Sequence, residues 1–255
     1  MARSFNGSNQ YIETSSFPNA SLPVTMSAWF YPASTSGFQR VSVWSSPGGG
    51  QAAASLLLNY PGAGQLSNQV YKGGTNVLPT GSGTFTTNAW NHGAVVSGAT
   101  AARCYLNGSV GSDATYVALT FSSCTILGVG RVQNTQFLNG RVAELGVWNV
   151  ELTAAEIAAL AKGYTPLEIR PDALLAYYPL GGHYGQLDLD RWKNRYDLTP
   201  ANSPTWVDHP RVIYPPPGVW PLTTATGGGG GGGSPLTSWW AWNQFGTPLD
   251  HGARN

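Results

Sequence analysis

Carboxylates, imidazoles and thiols are the side chains that could carry a reaction in this chain, and they are few and poorly spaced for one. Retaining hydrolysis of a glycoside needs two carboxylates on one face, roughly 5–5.5 Å apart, and a Glu-x-Asp spacing within one strand supplies that. Glu13 is the only acidic residue before Asp113. Glu144 lies in Ala143-Glu-Leu-Gly-Val147, with Gly146 and Trp148 at the alternate positions, and reads as a structural carboxylate bonded to neighbouring backbone. His92, His183, His209 and His251 show neither His-x-x-x-His nor Glu-x-x-His spacing. His92 is expected on a strand, packing or hydrogen bonding. No Gly-x-Ser-x-Gly elbow is present, and the glycine run from 227 to 233 lacks the Lys-Ser/Thr of a phosphate loop. Asp188 and Asp190 offer two carboxylates from one polar loop, read as solvated groups pairing with Arg191 or Lys193. The expectation is a chain that is not an enzyme, with no catalytic, cofactor-binding or metal-ligating residues and no cofactor.

Two cysteines, Cys104 and Cys124, cannot complete a tetrahedral metal site alone. Buried apolar packing and a cross-strand disulfide both remain open for them. The aromatic residues give the positive signal. Trp239, Trp240, Trp242 and Phe245 cluster beyond the glycine run and are candidate partner-docking residues. Burying one such ring removes some 150–250 Å² from water, and interface hot spots favour Trp. The alternative is that they fold back on their own domain. Trp44, Tyr60 and Tyr71 are the candidates for stacking on a glycan.

These residues sit in a chain of short strands and turns. Only 10% of the 255 residues are charged, against roughly 25% in an ordinary domain, while 33 glycines and 18 prolines punctuate the sequence. The net charge of +1 gives no electrostatic case for nucleic acid or an anionic membrane. No apolar run approaches the roughly 18–20 residues of a membrane span. From Ser4 to Val150, apolar runs end in turn residues: Val24 to Tyr31 at Pro32, Val41 to Trp44 at Ser45-Ser-Pro-Gly, Ala54 to Tyr60 at Pro61-Gly62. Such spacing predicts an all-β sandwich or jelly roll. Three Asn-x-Ser sequons, at Asn6, Asn19 and Asn107, read as turns. One helix is expected after Thr153-Ala-Ala-Glu156, a capping box, with Ile157 and Leu160 on its apolar side, Gly163 as its stop, and a place plugging one end of the sandwich.

Four pieces in order resemble the laminin-G-like/concanavalin A-like jelly roll. Ser4-Phe-Asn-Gly-Ser-Asn-Gln-Tyr-Ile12 resembles that family's opening F-D-G-x-x-x-Y-[IV] strand. Val24-Thr-Met-Ser-Ala-Trp-Phe30 resembles its second signature. Trp90-Asn-His-Gly-Ala-Val-Val96, with Cys104-Tyr-Leu-Asn-Gly108, resembles the third. Phe137 to Trp148, followed by Leu152-Thr-Ala-Ala-Glu156, resembles its closing strand and helix. The resemblance implies an antiparallel β-sandwich with one short helix. It also implies a calcium site built on Asp residues, but Asn6 stands where the opening Asp is expected.

The expected organisation is a sandwich over 1–163, additional strands over 164–214 that complete or flank it, and a Pro/Gly-rich extended arm over 215–255. For the middle segment, edge strands of the same sandwich and a separate appendage are both open. The chain opens directly into strand-like sequence without a signal-peptide core. Versions without a signal and with Pro/Gly-rich tails resemble proteins of tailed phages. The expectation is therefore a virion-surface protein made in the host cytoplasm. It would attach to a major capsid or tail protein and to copies of itself through a sandwich face and the arm. The alternative is a lectin-like adhesion module for host glycans.

Overall fold

The computed structural model describes residues 1–181, 190 and 195–213. Sixteen strands and one α-helix are described. The strands are β1 (Ala2–Asn6), β2 (Tyr11–Thr14), β3 (Val24–Pro32), β4 (Gln39–Ser45), β5 (Gln51–Leu58), β6 (Leu66–Asn68), β7 (Val70–Lys72) and β8 (Thr75–Val77). They continue with β9 (Asn91–Ser97), β10 (Ala101–Leu106), β11 (Ser109–Thr115), β12 (Ile126–Val129) and β13 (Asn139–Trp148). After α1 (Ala154–Ala161) come β14 (Leu174–Tyr178), β15 (Thr199–Ala201) and β16 (Thr205–Val207). One antiparallel sheet runs β11-β10-β9-β3-β13-β1-β16, with β14 also on β13. The other runs β15-β2-β12-β4-β5-β7-β8, with β6 on β5.

Alternation of side chains along each strand decides what lies between the sheets. Val24, Met26, Ala28 and Phe30 of β3 point inward to meet Trp44, Leu56, Leu58, Leu127 and Val129 of the opposite sheet. The reverse face of the first sheet is apolar too. Ala94 and Val96 of β9, Tyr105 and Trp148 form a second cluster, on which Ile157 and Leu160 of α1 settle. The helix begins as its capping box requires: Glu156 N–H donates to Thr153 Oγ1 (3.3 Å) and Thr153 N–H to Glu156 Oε2 (2.7 Å). Its place differs from the expected end plug. It lies across the outside of the first sheet, because β9, β10 and β13 present small and apolar residues there.

The turns follow local chemistry. Asn107 and Gly108 both take positive φ (50° and 82°) between β10 and β11, as a two-residue hairpin turn of the primed type needs. Asn19 is tied down differently, its side chain donating to Phe121 O (2.8 Å) and accepting from Cys124 N–H (2.8 Å).

Residues beyond Gly163 enter both sheets. β1 pairs with the first half of β13 and β14 with the second half, along the same flank. β16 adds to β1 and β15 to β2. Leu174, Ala176, Tyr178, Leu180 and Leu198 are buried in this extension, so Met1–Ile213 forms one compact unit. Trp239, Trp240, Trp242, Phe245 and the arm lie outside the described residues, as do His183, Asp188, Arg191 and Lys193.

Candidate functional site

A cleft of about 500 Å³ opens at one end of the sandwich, where β1 and β3 end and β13 begins. Three stretches distant in sequence line it: Asn6–Ser8, Ser34–Gln39 and Gln136–Asn139. It is an open groove with a mostly polar lining.

Each stretch is shaped by an amide side chain. Asn6 Oδ1 accepts from the backbone N–H groups of Ser8, Asn9 and Gln10 (3.0, 3.2 and 3.3 Å), which folds the β1–β2 turn. Gly7 sits at φ +74°, and a Cβ there would come within 2.8 Å of Asn139 Cβ. The turn can therefore lie directly against the start of β13. Gln39 is buried at the root of the β3–β4 loop. Its Nε2 donates to Ser34 Oγ (3.2 Å) and Ser36 O (3.0 Å), and its Oε1 accepts from Asn139 N–H (2.9 Å). Wrapping that loop around Gln39 turns Phe38 outward, where it stays 50% exposed, with its ring 5.5 Å from that of Tyr60. Gln136 is anchored by Arg40, whose Nε donates to Gln136 Oε1 (2.7 Å) and whose backbone N–H donates to Gln136 O (2.9 Å). The other Arg40 nitrogens donate to Ser55 Oγ and Gln69 Oε1. Burial lowers the pKa of this guanidinium to about 9, which leaves it charged at neutral pH.

Several polar groups of the lining remain unengaged. The Ser8 hydroxyl, the Asn139 side-chain amide and Gln136 Nε2 make no hydrogen bond among the described residues. The lining carries no ionisable side chain. The cleft can thus exchange hydrogen bonds with a polar, uncharged ligand and offer it one face of an aromatic ring.

The aromatic residues expected to stack on a glycan take three different places. Trp44 is a correction: it is 1% exposed, edge-on to Phe17 at 4.9 Å, with Nε1 donating to Cys124 O (2.9 Å). It is a core residue because its register on β4 turns it between the sheets. Tyr60 is half-buried and flanks the cleft through Phe38. Tyr71, also half-buried, pairs with Ala52 at the far end of β5, roughly 20 Å from the Tyr60 end at about 3.3 Å per residue. Phe38, Phe137, Gln136 and Asn139 were not singled out from the sequence, since nothing local to them shows that three loops converge.

The remaining candidates are buried. Ser27 Oγ and His92 Nε2 lie 2.8 Å apart, as a nucleophile and base would, but both are 1% exposed and His92 Nδ1 has no partner. Burial holds the His92 pKa down to about 3, so the ring is neutral. Glu144 is 3% exposed, on a bulge of β13 at φ +55°. Its partners differ from the backbone groups expected: Tyr177 Oη donates to Oε2 (2.7 Å), and His209 Nε2 stands 3.0 Å from Oε1 at ion-pair distance without hydrogen-bond alignment. Asp190 is another correction, being fully buried rather than solvated. It accepts from Tyr177 N–H at 3.0 Å, since β14 needs a partner there. Cys104 and Cys124 are free and buried. Among the described residues no cluster of three His, Cys, Asp or Glu side chains could hold a metal ion, and no helix is long and apolar enough to cross a membrane.

Residues 6–158 match the family model of the concanavalin A-like lectin/glucanases superfamily. Among solved structures, the chain is similar to a Bacteroides ovatus protein described as carbohydrate-binding. Identity is 20% and the TM-score 0.59, over 80% of this chain and 58% of that one. It is also similar to domain 4 of an extracellular arabinanase from Geobacillus stearothermophilus, solved with arabinotriose (17%, TM-score 0.53, 63% of this chain and 76% of that one). A heptameric pentraxin from Limulus polyphemus gives 17% and 0.52, over 63% and 81%. At these identities the likeness is one of fold. No curated protein matches the chain.

Proposed function

The chain belongs to the concanavalin A-like lectin/glucanases superfamily, and from that premise we propose that it is a non-enzymatic binding module whose end cleft takes carbohydrate. The observation that carries this reading is the cleft's lining: free hydroxyl and amide groups beside an exposed aromatic ring, with no carboxylate pair. Sugars present hydroxyls in both donor and acceptor roles and one apolar ring face, which is what such a lining complements. The neighbours described as carbohydrate-binding or solved with arabinotriose support the same class of ligand. The Phe38 contribution follows from its exposure. Half of a ring of roughly 200 Å² is open, and a sugar covering one side removes about 50 Å² from water. At about 25 cal/mol per Å² that is about 1.2 kcal/mol, roughly an eightfold change in Kd. Calorimetry of the full chain against a panel of oligosaccharides tests the reading. Binding that Phe38→Ala weakens about eightfold supports it; hydrolysis of any member, or no binding at all, overturns it.

A finer placement rests on the sequence: this module works on a virion surface, attached to capsid or tail protein through a sandwich face and its C-terminal arm. Its support is the low charge, the resemblance to tailed-phage proteins, and the aromatic run Trp239–Phe245 after a seven-glycine spacer. Mass spectrometry of purified particles tests the location. Trp239→Ala combined with Trp240→Ala should reduce loading on particles; full occupancy by that variant removes the segment as anchor. The sequence favoured assembly over glycan binding; the cleft adds support to glycan binding and bears on assembly in neither direction.

A further inference from the structure

We propose that the cleft takes an uncharged saccharide without a bound metal ion, and that Gln136, its amide turned by the buried Arg40, supplies a donor that holds it. The inference rests on the cleft being the carbohydrate site. Three observations lead to it.

The first is charge. No lining side chain is ionisable, and the adjacent cation, Arg40, is 4% exposed with every guanidinium nitrogen engaged. An anionic sugar in this open cleft would meet no direct ionic partner, because Arg40 is buried behind Gln136 with its nitrogens bonded to neutral groups, and water screens what charge remains. The second is the donor set. Calcium takes six to eight oxygens, with carboxylates among them. The cleft offers neutral oxygens, and Asn6 Oδ1 is consumed by three backbone N–H groups. The calcium site that the fold resemblance implies does not fit these residues. The third is orientation. Arginine only donates, so its bond to Gln136 fixes Oε1 inward and leaves Nε2 as the free atom. That N–H can donate to an acceptor such as a sugar hydroxyl. Arg131, paired with Glu13 at 2.9 Å, holds the same loop from its other end.

The test measures Kd of the full chain for neutral oligosaccharides and their uronate and sulfated counterparts, with and without EDTA, beside Tm. Gln136→Glu keeps the acceptor for Arg40 and the side-chain volume but removes the free donor. Neutral sugars should bind irrespective of EDTA, and Gln136→Glu should weaken them about 5–10-fold without lowering Tm. Arg40→Lys should lower affinity in the parent chain but not in a Gln136→Ala background, a coupling that general loosening would not produce. If no sugar binds, the carbohydrate reading itself fails. If a sugar binds in a Phe38-dependent way but the acidic form wins, or EDTA abolishes binding, this inference fails while that reading stands. Parent-like binding by Gln136→Glu removes Gln136 from the role, and equal Arg40→Lys effects in both backgrounds remove Arg40.

Discussion

Ending the chain at Gly163 should destroy the sandwich, although the four family-like segments all precede that point. The deletion removes Leu174, Tyr177, Tyr178, Leu180 and Leu198, each at most 4% exposed. At about 1.5–3 kcal/mol per buried side chain, less the 10–40% already buried in a compact unfolded chain, the loss is about 5–13 kcal/mol. That is a gross figure, because the deletion also removes the ordering entropy of the deleted residues; the net loss falls on the surfaces and polar groups left behind. Polar groups suffer as well. Trp148 Nε1 loses its acceptor, Ile169 O (2.7 Å), Arg3 loses Pro204 O (2.8 Å), and Glu144 loses both Tyr177 and His209. The second half of β13 would become an unpaired edge, which invites aggregation. Chains ending at Gly163 and at Ile213 should be compared by size-exclusion chromatography and thermal melting. The longer one should melt cooperatively and the shorter should aggregate. A monomeric 1–163 chain melting within a few degrees of 1–213 would refute the reasoning and make the added strands an appendage.

Trp44→Ala should cost about 3–5 kcal/mol, as large-to-small changes of a buried Trp do, measured by chemical denaturation; a cost below 1 kcal/mol would contradict its core position. The stability of the protein should fall on acidification. Burial keeps His92 at about 3 against about 6.5 unfolded, so between those values the unfolded chain binds a proton that the folded chain refuses. Stability should drop by about 2 kcal/mol from pH 6.5 to 4.5, and His92→Gln should remove that part of the slope. Iodoacetamide at pH 8 should label neither cysteine until denaturant is added, because burial pushes the Cys124 thiol up to about 12 and Cys104 higher still. Labelling of the native protein would show that one of them is reachable.

What could be read from the sequence is what short-range chemistry decides. Strand runs, the Asn107-Gly108 turn and the Thr153–Glu156 capping box depend on residues within a few positions of each other, and each lies where the pattern puts it. The matching of residues 6–158 to a family shares that basis, being an ordered set of local signatures. Residues far apart in the chain were a different matter. Trp44 looked available for stacking, yet β4 pairs with β5 and β12 in a register that turns it into the core. Asp190 looked solvated, yet the fold buries it and sets its carboxylate 3.0 Å from the Tyr177 N–H of β14. The helix looked like a plug, yet the small residues of β9 gave it a face to lie on. The cleft depends most on tertiary structure. Gly7 brings the first turn against Asn139, Gln39 ties the second loop to the same strand, and Arg40 fixes Gln136, across separations of about one hundred residues that no local pattern encodes.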